Sequence, residues 1–137
     1  MSFPTQIGAE NSAPQLNGAW SNNPKFVQKL TAAGTVSVAV PTGMVLQFKS
    51  AKALLVGGVG GAGDTLDIKS GANSALAAVM DLSSATAVGK SVNSGDLSTT
   101  AAYSLFTGGV DTVDIELTDG DAGILELWVE VEFHRIS

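Results

Sequence analysis

The chain has 137 residues, of which 45% are hydrophobic, so it can build one domain with a core of its own. Only 15% are charged, against roughly 25% in an average globular protein, and the net charge is −6. It has no cysteine and one histidine, His134, which excludes a disulfide framework, a thiolate metal site, a cysteine nucleophile and any mechanism built on two histidines.

An acidic chain lacks the electrostatic footprint of a nucleic-acid binder. No basic region precedes an apolar one at the N-terminus, so no secretory signal is expected. The longest apolar run, Ala53 to Gly63, is eleven residues with five glycines. A bilayer span needs about 20. Neither a nucleic-acid partner nor a membrane is expected.

The charge is sorted along the chain. Residues 1–63 hold Lys25, Lys29, Lys49 and Lys52 against Glu10, a net of +3; residues 64–137 hold twelve acids against Lys69, Lys90 and Arg135, a net of −9. Such asymmetry points to a partner or to self-association.

Residues 1–24 predict an extended N-terminal arm. Pro4, Pro14 and Pro24 remove backbone donors and bias their predecessors to extended conformations. The apolar residues Phe3, Ile7, Leu16 and Trp20 are isolated. A frayed terminus accounts for such a segment. A latch is the other reading, since apolar side chains, each worth roughly 1.5–3 kcal/mol when buried, are costly to leave in water.

From Lys25 to the end the pattern is β. Val36, Val38 and Val40 alternate with Thr35, Ser37 and Ala39, the period of a strand. Pro41-Thr42-Gly43 reads as a turn. Met44, Leu46 and Phe48 then share a face opposite Val45, Gln47 and Lys49. Ala53–Val56 reads as a short strand buried on both faces. Leu66 and Ile68 alternate with Asp67 and Lys69. Leu76–Leu82 fits a strand or a short helix, and Tyr103–Phe106 a short strand.

The C-terminal segment predicts a hairpin. Val113, Ile115 and Leu117 share one face, Asp119-Gly120-Asp121 makes a turn, and Leu125, Leu127, Val129, Val131 and Phe133 point inward on the return strand. Glu126, Trp128, Glu130 and Glu132 point out, so one face is buried and the other solvated or partnered. With turn residues every 8–12 positions or so, the chain predicts an all-β sandwich or barrel.

Three motifs invite chemistry. Gly58, Gly60 and Gly63 form a literal G-x-G-x-x-G after an apolar strand, with Asp81 downstream. The dinucleotide fingerprint needs a helix at the third glycine, its N-terminus facing the phosphates. Here Asp64 brings a carboxylate to that place and Thr65–Lys69 alternates as a strand, so a loop between strands is expected and no cofactor. Asp119 and Asp121 could start a cation site, but lack the further acids of an EF-hand loop and read as a turn. No G-x-S-x-G elbow occurs, and His134 beside Arg135 reads as a surface residue. Glu126, Glu130 and Glu132 share a strand face that fits a solvated or partner-facing surface better than acid–base work. No enzyme is selected. Trp128 among these glutamates fits an interface, where tryptophan is enriched. Lys25, Lys29, Lys49 and Lys52 of a neighbouring copy would supply the opposite charge.

The apolar stretch Met44–Val59, the segment Gly63-Asp-Thr-Leu-Asp-Ile68, the Ala/Thr-rich middle and the late Val113–Leu117 and Asp121–Phe133 segments resemble the head decoration, or cement, proteins of tailed bacteriophages. The resemblance implies a β-sandwich, jelly-roll-like body over residues 25–137, usually a homotrimer. It implies a protein made in the host cytoplasm that sits on the virion surface, binds the major capsid protein and reinforces the contacts between its subunits, with a terminal arm along the shell. The interface residues expected are Phe3, Ile7, Leu16, Trp20, Lys25, Lys29, Glu126, Trp128, Glu130 and Glu132. A carbohydrate- or receptor-binding module of a head fibre or tail is the alternative, with Trp20, Tyr103 and Trp128 stacking on sugar rings; aromatic residues are 6% of the chain, a thin supply for such a platform.

Overall fold

The computed structural model describes residues 23–120 and 125–137. These form ten strands: β1 (Lys25–Leu30), β2 (Gly34–Ala39), β3 (Val45–Gly58), β4 (Thr65–Ser70), β5 (Asn73–Ser74), β6 (Met80–Asp81), β7 (Ser91–Asn93), β8 (Leu105–Thr107), β9 (Thr112–Thr118) and β10 (Leu125–Arg135). Short 3-10 turns occupy Leu82–Ser84 and Ala101–Ser104.

Two antiparallel sheets stack as a sandwich. The first runs β1-β10-β3, with β7 and β8 on the far side of β3; the second runs β2-β9-β4, with β5 and β6 on the far side of β4. β8 pairs with Val45–Gln47 and β7 with Lys52–Leu54, at different stretches of one strand. β5 and β6 divide β4 in the same way. With each such pair taken as one position, the two sheets read 1-8-3-6 and 2-7-4-5, the interleaved order of a jelly roll. The all-β, jelly-roll-like expectation holds.

The core follows from strand periodicity. Phe26 and Leu30 of β1, Val38 of β2, Leu66 and Ile68 of β4, Val113, Ile115 and Leu117 of β9, and Leu125 to Phe133 at alternate positions of β10 are all buried between the sheets. Phe133 meets Phe48 and Phe106 edge-on, with ring centroids 6.2 and 5.8 Å apart. Such pairs add to the stabilisation from buried area alone.

Four expectations need correction. The inward faces of the C-terminal segment are as read, but β9 and β10 form no hairpin: β9 pairs with β2 and β4, and β10 with β1 and β3, in different sheets. Alternation marks which side chains face the core, and both inner faces of a sandwich give the same pattern. The stretches Met44–Lys49 and Ala53–Val56 belong to one 14-residue strand, β3. Along it the buried positions change from Leu46 and Phe48 to Ala51, Ala53 and Leu55. A β-bulge causes the change: Glu132 pairs with Ser50 and Phe133 with Phe48, leaving Lys49 as the extra residue. Leu54 and Val56 are only half-buried, so that stretch is not covered on both faces. Leu76–Leu82 is neither one strand nor one helix: Leu76 makes an isolated bridge to Leu97, β6 follows, and Leu82 opens a 3-10 turn. Tyr103 and Ser104 likewise stand on a 3-10 turn, and only Leu105 and Phe106 are in a strand.

The two residues before β1 are also tied to β10. Pro24 is buried and its carbonyl accepts the Phe133 N–H at 2.9 Å, while the Asn23 side-chain oxygen lies 2.7 Å from His134 Nδ1. The expected arm residues Phe3, Ile7, Leu16 and Trp20 lie outside the described residues.

Candidate functional site

The outer face of the first sheet gathers most of the expected interface residues. The odd positions of β10 from Leu125 to Phe133 are buried, so Glu126, Trp128, Glu130 and Glu132 project from the opposite face. β1 lies beside them in register, Lys25 opposite Glu132, Val27 opposite Glu130 and Lys29 opposite Trp128. β3 flanks the other side, with Leu54 opposite Trp128 and Lys52 opposite Glu130.

The charges on this face pair within the chain. Lys25 lies 3.5 Å from Glu130, Lys29 3.7 Å from Glu126 and Lys49 3.6 Å from Glu132. These glutamates therefore already have opposite charges beside them within the chain. The early lysines and late acids are far apart in sequence, but β1 and β3 flank β10 and bring them together. Each pair is half-exposed and contributes about 1 kcal/mol at most.

Trp128 remains 42% exposed and Val27 37%. With Lys52, Leu54, Val129 and Glu130 they line a shallow pocket on the sheet face. Sequence reasoning missed Val27 and Leu54 as parts of this site. The signal for Val27 was the alternation of Phe26, buried, with Lys25, Val27 and Lys29, which turns Val27 to the same side as the lysines.

The second sheet presents a different outer face. Thr35 and Ser37 of β2, Thr112, Asp114, Glu116 and Thr118 of β9, and Asp67 and Lys69 of β4 occupy it, with Lys69 3.7 Å from Glu116. Among the described residues it carries no aromatic side chain. Tyr103 stands on the 3-10 turn Ala101–Ser104, whereas Trp128 stands on β10. Trp20, the third residue of the expected sugar-stacking set, lies outside the described residues.

The glycine motif sits in the loop between β3 and β4, and Asp64 fills it. The Asp64 carboxylate is fully buried and accepts the Gly61 N–H at 2.8 Å and the Gly120 N–H at 2.9 Å. Backbone donors that a phosphate would need are thus held by the protein's own carboxylate. Thr65 begins β4 directly, so no helix follows the third glycine. Asp121 of the expected turn lies outside the described residues. His134 is exposed at the end of β10. Asp81 caps the 3-10 turn after β6. The Ser83 backbone N–H, then the Ser83 hydroxyl, hold its carboxyl below the usual range.

No protein-family model matches the chain, and neither the curated proteins nor the solved structures include a match to it. Among the described residues, no helix is long and apolar enough to cross a membrane.

Proposed function

We propose that this chain is a capsid decoration protein of a tailed bacteriophage, which docks on the major capsid protein and reinforces the contacts between its subunits. Trp128 carries the reading. It is a half-exposed tryptophan on a rigid sheet, beside Val27 and Leu54 and framed by ion pairs. An aromatic anchor within a polar rim is the usual anatomy of a protein interface. The fold fits the role, since viral capsid domains use jelly rolls, although a fold alone does not assign a function. In this reading the body assembles as a homotrimer on the virion surface and the N-terminal arm lies along the shell.

The test is co-sedimentation of the purified chain with phage heads built from the major capsid protein encoded beside it, together with native mass spectrometry. Saturable binding, lost in Trp128→Ala, and a trimer mass are expected. A monomer that stays in the supernatant overturns the proposal. Selective retention on a glycan array instead of on heads would favour the receptor-binding alternative.

A further inference from the structure

Among the described residues, the face around Trp128 has one lysine, Lys52, without an ion pair of its own. Four lysines project from the strands of the first sheet's outer face. Lys25, Lys29 and Lys49 each hold a glutamate within 3.7 Å. Lys52 makes no ion pair among the described residues, although Glu130 lies directly opposite it in register. Glu130 is engaged by Lys25 on the other flank. Lys52 also lines the pocket whose apolar wall is Val27, Leu54 and Trp128.

A partner that covers Trp128 must therefore also cover Lys52. An ammonium shut away from water without a counter-charge is costly, and an opposing carboxylate removes most of that cost. Complementary charge also fixes the register in which two surfaces meet. Resting on the interface reading above, we propose that the pocket takes an apolar side chain of the partner protein that adjoins a carboxylate, the apolar group against Trp128, Val27 and Leu54 and the carboxylate on the Lys52 ammonium. Glu130 sits at the pocket wall and would repel a carboxylate, but Lys25 offsets its charge. The matching surface on the partner is thus acidic and apolar at one point.

A small probe tests this without any capsid. The full-length chain is titrated with 3-phenylpropionate and, separately, with its neutral amide, 3-phenylpropanamide, following the Trp128 indole N–H by NMR. Trp128→Phe assigns the signal. The carboxylate is expected to shift it saturably, and the amide to bind more weakly by up to about fivefold, as the loss of one charge pair implies. Lys52→Gln should bind the carboxylate no better than wild type binds the amide, and Lys52→Arg should restore the preference. Backbone spectra that overlay elsewhere establish that the variants fold. Equal binding of acid and amide, an unchanged Lys52→Gln, or no shift of Trp128 with either compound overturns the inference. A positive titration alongside failed head binding overturns only the capsid reading. Head binding that ignores Lys52→Gln overturns only the pocket chemistry.

Discussion

Asp64 and Gly120 are 56 positions apart, yet the carboxylate of one accepts the backbone N–H of the other at 2.9 Å. The bond ties the loop between β3 and β4 to the start of the connection that carries the chain from β9 in the second sheet to β10 in the first. Asp64 also accepts the Gly61 N–H, and its own carbonyl accepts the Leu82 N–H at 2.9 Å. One buried residue therefore organises three segments at one end of the sandwich.

Asp64→Asn keeps the size but turns one acceptor oxygen into a donor that faces a backbone N–H. Leaving a buried donor without an acceptor costs about 1–3 kcal/mol. The urea midpoint is expected to fall accordingly. An unchanged midpoint would show that the staple contributes nothing to the fold.

The same end tolerates no side chain at Gly60. A Cβ there would lie 1.9 Å from the Leu82 carbonyl oxygen, which is backbone and cannot rotate aside. Gly60→Ala should cost about 3 kcal/mol or more, in the range of overpacked core sites. Gly95→Ala, where an added Cβ meets nothing within 4 Å, is the control and should stay within about 0.5 kcal/mol. Thermal unfolding of the two variants side by side decides the matter; equal melting temperatures would contradict the close approach at Gly60.

Neighbouring positions on β10 should respond in opposite ways. Val129 is fully buried between β1 and β3, so Val129→Asp places an uncompensated charge in the core and should abolish cooperative unfolding. Glu130→Lys breaks a half-exposed ion pair with Lys25 and should cost no more than about 1 kcal/mol. Circular dichroism during denaturation distinguishes them. Normal folding of Val129→Asp would put the strand one residue out of register.

Asp81 gives a pH dependence of known sign. Its carboxyl is held below the ordinary value of 3.8 by the Ser83 N–H and hydroxyl. A depressed folded value means that the stabilisation is fully present above the ordinary value and is lost as the pH falls through the folded one. Asp81→Asn should therefore be less stable than wild type near neutrality, with the gap closing below about pH 4. A gap that stays constant between pH 6 and pH 3 would exclude this contribution.

The β class, the inward positions of β9 and β10 and the outward ring of Glu126, Trp128, Glu130 and Glu132 were legible because strand periodicity records burial directly. The assignment of β9 and β10 to different sheets was not, because Asp-Gly serves a sheet crossing as well as a hairpin. The Lys49 bulge was hidden as well, since an extra residue shows only against its partner strand. The ion pairs were legible as a charge asymmetry, but not as contacts within one chain. That needed the pairing of β10 with both β1 and β3, which is a long-range property. Asp64 was legible as a carboxylate beside the glycine motif, whereas its bond to Gly120 depends on a crossing that local sequence does not encode.

The antiparallel pairing of β1 with β10 also decides how the body would answer to force. Lys25, where β1 begins, stands opposite Glu132, close to where β10 ends. Tension applied between the two ends of the body would open this pair one rung at a time, starting at Pro24 and Phe133, instead of shearing all its rungs together. The body would peel at modest load when pulled by its ends, whereas load arriving through the face of the first sheet would be spread over β1, β10 and β3 at once.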